Sequence, residues 1–113
     1  MKGNEKNITI YSGDYIYLEI EVYDEDNEPI NHENITAEYY FGNKQPVFIK
    51  DNQGPDLEIN GNNGTLTIIV KLQEQDTKNL QPHSYYHEIK IRDSQGKPNT
   101  IMTGVVRVLP TRL

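Results

Sequence analysis

Residues 15–23, Tyr15-Ile16-Tyr17-Leu18-Glu19-Ile20-Glu21-Val22-Tyr23, alternate between two kinds of side chain without a break. Ile16, Leu18, Ile20 and Val22 fall on one side, and Tyr15, Tyr17, Glu19, Glu21 and Tyr23 on the other. A β-strand sends successive side chains to opposite faces of its sheet. The pattern therefore predicts a central strand with its aliphatic face in a core and its tyrosines and carboxylates outside.

The same period recurs along the chain. Ile8 and Ile10 alternate with polar neighbours, as do Ile35, Ala37, Tyr39 and Phe41, then Leu66, Ile68, Val70 and Leu72, then Tyr85, His87, Ile89 and Ile91, and a last run extends from Thr100 to Leu109. Two shorter apolar runs, Val47-Phe48-Ile49 and Leu57 with Ile59, fit further strands, and Pro46 places the first of these at a sheet edge. Ile69 lies on the opposite face from its apolar neighbours, which predicts a cover or a neighbouring subunit there. Turn-forming residues separate the runs: Ser12-Gly13-Asp14, Asp24 to Pro29, Gly42-Asn43-Lys44, Asn52 to Pro55, Asn60 to Gly64 and Asp93 to Gly96. Between Gln73 and Leu80 the alternation lapses, so one helical or 3₁₀ turn is expected there, with Leu80 plugging the end of the core.

Short strands at this spacing, with no long helical pattern, predict an all-β fold: an immunoglobulin-like antiparallel sandwich of about seven to eight strands with one short helical turn near residues 73–80. Residues 1–113 form a single domain on this reading, a size that buries one core without staples. The chain has neither cysteine nor tryptophan, so the disulfide and buried tryptophan of antibody domains are absent. Hydrophobic residues make up only 35% of the sequence, yet they are mainly β-branched, leucine or tyrosine, and Ala37 is the only alanine. That bias suits half-buried pleated surfaces rather than helices.

Composition also excludes classes of function. A net charge of -6 opposes a nucleic-acid backbone, and no run of Lys or Arg makes a basic stripe. The first residues lack the apolar segment of a signal peptide, and no stretch reaches the roughly 20 apolar residues of a membrane span, so neither secretion by signal peptide nor a membrane is expected. No nucleophile elbow, zinc-protease helix motif, P-loop or dinucleotide fingerprint occurs, and His32, His83 and His87 fall on two loops and a strand rather than at metal-ligand spacing. The expectation is a protein that is not an enzyme, with no catalytic residues, no metal and no cofactor. Asp24, Asp26 and Glu28 alternate as oxygen donors do in calcium loops, but the loop lacks the glycine and the closing bidentate glutamate, which favours a solvated turn. His87 shares a face with Ile89 and Ile91, where a partly buried histidine satisfied by a neighbouring carbonyl is expected, a pH-sensitive group being the alternative.

The tyrosines carry more information. Tyr15, Tyr17 and Tyr23 lie opposite the core pattern of their strand, and Tyr40 and Tyr86 do the same on theirs. Tyrosine joins a rigid apolar body to a polar tip and is enriched at interfaces, so these five are the candidate partner surface, cross-strand pairing within one molecule being the alternative.

From Gln75 to Pro110 the order of features is specific: Asp76-Thr77-Lys78-Asn79-Leu80, then Ser84-Tyr85-Tyr86-His87-Glu88-Ile89-Lys90-Ile91, Asp93-Ser94-Gln95-Gly96, and Ile101-Met102-Thr103-Gly104-Val105-Val106-Arg107-Val108-Leu109-Pro110. This resembles small phage virion proteins with an immunoglobulin-like sandwich, among them the N-terminal domain of the baseplate upper protein family. Gly13-Asp14 ahead of the Tyr15 strand, and Glu28-Pro29-Ile30 after it, look like that family's opening. Gln81-Pro82-His83 stands where the family has a glycine, and the stretch from Asn43 to Gly61 matches no pattern of the group. The resemblance implies a phage or prophage structural protein of the tail, baseplate or head surface, made in the host cytoplasm and carried in the virion. Its partners would be other virion proteins, with copies of itself in a homo-oligomer, and it carries over no catalytic residue. Two other readings stay open: a receptor- or carbohydrate-binding sandwich, which needs a concave tyrosine-lined site, and a calcium-stabilised adhesin-like domain, which needs the Asp24 to Glu28 loop to bind calcium.

Overall fold

The computed structural model describes residues 4–22, 34–62 and 65–111. The strands are β1 (Asn4–Glu5), β2 (Ile8–Tyr11), β3 (Ile16–Val22), β4 (Thr36–Gly42), β5 (Pro46–Asp51), β6 (Leu57–Asn62), β7 (Thr65–Leu72), β8 (His83–Arg92) and β9 (Pro98–Leu109), with one helical turn, α1 (Glu74–Thr77), between β7 and β8. They form two sheets packed face to face. The larger runs β1-β9-β8-β4-β5, with β2 also on β9, and the smaller runs β3-β7-β6. In chain order β3, β7 and β6 correspond to strands B, E and D of an immunoglobulin sandwich, and β4, β8 and β9 to C, F and G, with β5 as an added edge strand beside C. The fold is the all-β sandwich that the alternation predicts.

The inner faces are those read from the sequence. Leu18, Ile20 and Val22 from β3, Tyr39 and Phe41 from β4, Leu66, Ile68, Val70 and Leu72 from β7, and Ile89 and Ile91 from β8 are all buried in one cluster. Leu80 closes one end of it. Tyr85, near the start of β8, adds a fastening that the alternation does not reveal: its hydroxyl donates to the Gln81 carbonyl at 3.2 Å, the tyrosine corner of immunoglobulin domains. Ile69 is buried although it faces away from this cluster, with Glu19 and Glu58 as its neighbours across the ladder.

The expectation of wholly antiparallel sheets fails at the N-terminal strand. β1 and β2 pair parallel to β9 in a single register, Asn4 against Met102 and Ile8 against Val106. Alternation tells which side chains face the core but not which way a strand runs. The Ser12-Gly13-Asp14 turn, with Gly13 at φ +90°, carries the chain from one sheet to the other, so the strand before it lies on β9 and not on β3. Between β1 and β2 the ladder is interrupted: the Lys6 N–H donates to the Thr103 carbonyl at 2.9 Å, the Asn7 side-chain oxygen accepts from the Val105 N–H at 2.9 Å, and the Lys6 carbonyl lies against Gly104 on the core side.

A charged clamp ties β5 to the turn before β6 and to α1. The Lys50 ammonium sits 2.8 Å from Asp56 and 2.8 Å from Asp76, and lies over the Phe48 ring, 5.4 Å from its centroid. Gln73 completes the group, donating from its side chain to Asp56 at 2.9 Å and from its backbone to Asp76 at 2.7 Å. Burial disfavours the charge on Lys50, but its hydrogen bonds to Asp56 and Asp76 outweigh that and raise its pKa, while hydrogen bonds from Lys50 and Gln73 lower that of Asp56. A lowered carboxylate contributes stability above its unfolded value of about 3.9, lost as pH falls through the folded value. Lys50→Met keeps the stem and leaves two carboxylates side by side, so thermal or chemical unfolding at neutral pH is expected to show a loss of about 1 to 3 kcal/mol. The deficit shrinks in acid, where protonation relieves the pair.

Candidate functional site

The five candidate tyrosines separate onto different surfaces. Tyr17 stands on the outer face of the smaller sheet and Tyr15 immediately precedes β3, each about half exposed. Tyr40 and Tyr86 stand on the outer face of the larger sheet, their ring centroids 6.3 Å apart. Tyr23 lies outside the described residues. The sandwich thus separates Tyr15 and Tyr17 from Tyr40 and Tyr86, because β3 and the β4–β8 pair belong to opposite sheets.

On the larger sheet the tyrosines are part of a broader band. Val105 of β9 pairs with Tyr86 of β8, Tyr86 lies opposite Gly42 of β4, and two residues along, Tyr40 lies between Glu88 of β8 and Ile49 of β5. Val47, on the same face of β5, extends the band to the free edge. Val47 is 51% exposed, Ile49 54% and Val105 46%. An apolar strip therefore runs obliquely over four strands on a surface that a solitary sandwich would keep polar. The tyrosine tips are held in place: Tyr40 donates to the Asn43 carbonyl, and Tyr86 donates to the Glu88 carboxylate at 3.0 Å. Burial first, and then Glu88, raise the pKa of Tyr86. Lys90, Glu38 and Asp51 border the strip in one ladder row, pairing Glu38 with Lys90 and with Asp51.

Sequence reasoning missed Val47, Ile49 and Val105. On β5 the signal was Phe48 between two aliphatics: Phe48 stacks on Phe41 in the interior with centroids 4.8 Å apart, which turns Val47 and Ile49 outward. In Val105-Val106 both faces are apolar, so alternation is silent about which residue is outside.

The histidines do not assemble. His32 lies outside the described residues, and His83 is the first residue of β8 rather than part of a loop. His87 is satisfied by a carbonyl as expected but is fully rather than partly buried, one ring nitrogen 2.8 Å from the Tyr39 hydroxyl and the other 2.7 Å from the Lys6 carbonyl. Among the described residues no three His, Cys, Asp or Glu side chains gather as a metal would require. The acidic loop of residues 24–28 lies outside the described residues. Three clefts are lined by Asn4, Glu5, Lys6, Glu19, Ile20 and Glu21, by residues 49–51 and 54–56, and by Ser12, Gly13, Asp14, Glu74, Lys78 and Thr111. None of the three carries a tyrosine.

No family model matches the chain, and no curated protein matches it. A family 123 glycoside hydrolase from Clostridium perfringens that hydrolyses glycolipid glycans aligns over 96% of this chain and 23% of its own, with a TM-score of 0.51 and 16% identity. The SrpA adhesin of Streptococcus sanguinis, as its R347E mutant, aligns over 92% of this chain and 55% of its own, at 0.44 and 14%. Extracellular domains 3–5 of Drosophila OTK align over 95% and 34%, at 0.44 and 15%. The chain spans less than a quarter of the hydrolase, and at 16% identity the likeness to it is one of fold alone.

Proposed function

We propose that this chain is a non-catalytic building block that works by protein–protein contact, docking through the outer face of its larger sheet. The observation that carries the reading is the exposed strip of Val105, Tyr86, Tyr40, Ile49 and Val47 across four strands. Burying such a strip is favourable in proportion to its apolar area, and rigid aromatic residues at its centre suit a contact more than a pocket. The resemblance of residues 75–110 to phage virion proteins supplies the setting: a tail, baseplate or head-surface component of a virion, repeated in a homo-oligomer and contacting other virion proteins. A carbohydrate-binding role would call for a concave tyrosine-lined site, whereas these tyrosines stand on sheet faces.

Light scattering after size exclusion, run on the whole chain over a concentration series, tests the reading. The wild type is expected to exceed the monomer mass as concentration rises, Ile49→Glu to remain a monomer, and Tyr17→Glu on the opposite sheet to behave as wild type. An interface of standard size, about 1,200 to 2,000 Å² in total, would include the whole strip. A wild-type monomer at every concentration overturns self-association. An oligomer that survives Ile49→Glu and yields to Tyr17→Glu moves the contact to the smaller sheet.

A further inference from the structure

His87 is a polar side chain placed wholly inside an apolar core, and the assembly surface makes no use of it. Its bonding fixes one proton. The Lys6 carbonyl can only accept, so the nitrogen facing it, Nε2, carries a proton. Burial favours the neutral ring, in which Nδ1 is a bare acceptor and the Tyr39 hydroxyl donates to it, so that each nitrogen is used once. Adding a proton places a charge in the core and turns Nδ1 into a donor facing a hydroxyl that was itself donating.

Among the described residues, the groups that touch the ring include no carboxylate to pair with that charge. From β4 comes the Tyr39 hydroxyl, its own ionisation pushed well up by burial. From β9 comes Gly104, which has no side chain, and from the N-terminal segment the Lys6 carbonyl. Along β8 the flanking residues on the same face are Tyr85 and Ile89. The charged side chains Glu5, Lys6, Glu19 and Glu21 line the cleft between the N-terminal segment and β3. Burial accordingly lowers the His87 pKa, opposed in part by the bond to Lys6.

The N-terminal segment is the part of this surround that leaves most easily. β1 is two exposed residues, and β1 and β2 have β9 as their ladder partner, to which the Asn4 side chain adds one long bond, 3.5 Å, to the Glu21 carbonyl of β3. Lifting residues 4–7 uncovers little apolar surface while opening the Gly104 side of the ring to water, and segments of that kind open below the global unfolding free energy. We propose that His87 is an acid-operated latch on the N-terminal strand: neutral, it holds Lys6 against Gly104; charged, it releases residues 4–7 from β9 while the rest of the sandwich stays folded. This stands independently of the assembly face.

The sign follows from linkage. The open segment leaves His87 with an ordinary value near about 6.5, above its value in the closed form, so acid favours opening. The opening equilibrium rises about tenfold for each pH unit below about 6.5, until the closed-form value is reached.

Amide hydrogen exchange on the whole chain, expressed as protection factors to remove the intrinsic pH dependence, tests this between about pH 7.5 and about pH 5.5. Protection of the Lys6 and Val105 amides is expected to fall, by up to about tenfold, with β3 and β7 amides unchanged. His87→Gln keeps an N–H donor without the titration and should hold those protections level across the range. The His87 ring titration, followed by NMR in the wild type, should share its midpoint with the loss of Lys6 protection, which tests the latch even if the variant fails to fold. Level protection in the wild type, an equal fall in His87→Gln, a concurrent fall in β3 and β7, or two separate midpoints would each overturn the latch.

Discussion

Leu18→Ala lowers the free energy of unfolding by about 2 to 5 kcal/mol, with the midpoint of a urea or guanidinium transition moving and its slope unchanged. Leu18 stands near the middle of β3, 3% exposed, with Val70 as its ladder partner and the larger sheet facing it. Removing three carbons there forfeits their transfer from water and leaves a cavity that two opposed sheets cannot close without sliding. Tyr17→Ala, one residue away and about half exposed, is expected to cost less than about 1 kcal/mol. A Tyr17 variant more damaging than the Leu18 variant would mean that the strand presents the reverse face to the core.

Gly104→Val is the second large effect, about 3 kcal/mol or more. A Cβ at this position would overlap the carbonyl of Lys6, a backbone group that cannot rotate out of the way. To admit a side chain the N-terminal segment must move outward, giving up the bonds from Lys6 to Thr103 and from His87 to Lys6. His87 would be left with a buried donor unpaired, which adds the penalty of an unsatisfied polar group to that of the overlap. Gly13→Ala is the contrast: nothing stands near its missing Cβ, so its cost comes only from holding alanine at φ +90° and is expected to be about 1 kcal/mol. Chemical denaturation ranks the two variants, and loss of amide protection in β2 alone would show that Gly104→Val acts by displacing the N-terminal strand.

Most of the architecture was legible because both sheets have one face in the core. Leu18, Ile20 and Val22, or Leu66, Ile68, Val70 and Leu72, can be assigned inward from spacing alone, and Pro46 marks β5 as an edge before any strand is paired. Strand direction was not legible. Ile8 and Ile10 give the same pattern whether their strand runs along β9 or against it, and only the turn at residues 12–14 decides.

The exposed apolar strip was half legible. Tyr40 and Tyr86 were recoverable from parity, but which tyrosines share a sheet depends on pairing between residues far apart, such as Gly42 with Tyr86. Val105 was hidden because its neighbour Val106 is apolar too. His87 was recognised as a buried residue satisfied by a carbonyl, yet the identity of that carbonyl, Lys6, lies 81 residues away and no local pattern could name it.

The parallel register has a kinetic side. Asn7 and Val105 meet across a separation of 98 residues, and every ladder pairing of β1 and β2 with β9 spans a comparable distance. Closing so long a loop carries an entropy cost that the β6–β7 and β8–β9 hairpins avoid, so those hairpins form early and the N-terminal strand docks last. During synthesis the order is more severe: β2 leaves the ribosome before β3 to β8, and β9, its ladder partner among the described residues, follows all of them. Until β9 emerges, Ile8 and Ile10 have no ladder to join. β8 waits too for its partner on that side, so the larger sheet is completed in one step when a single strand arrives to serve two neighbours.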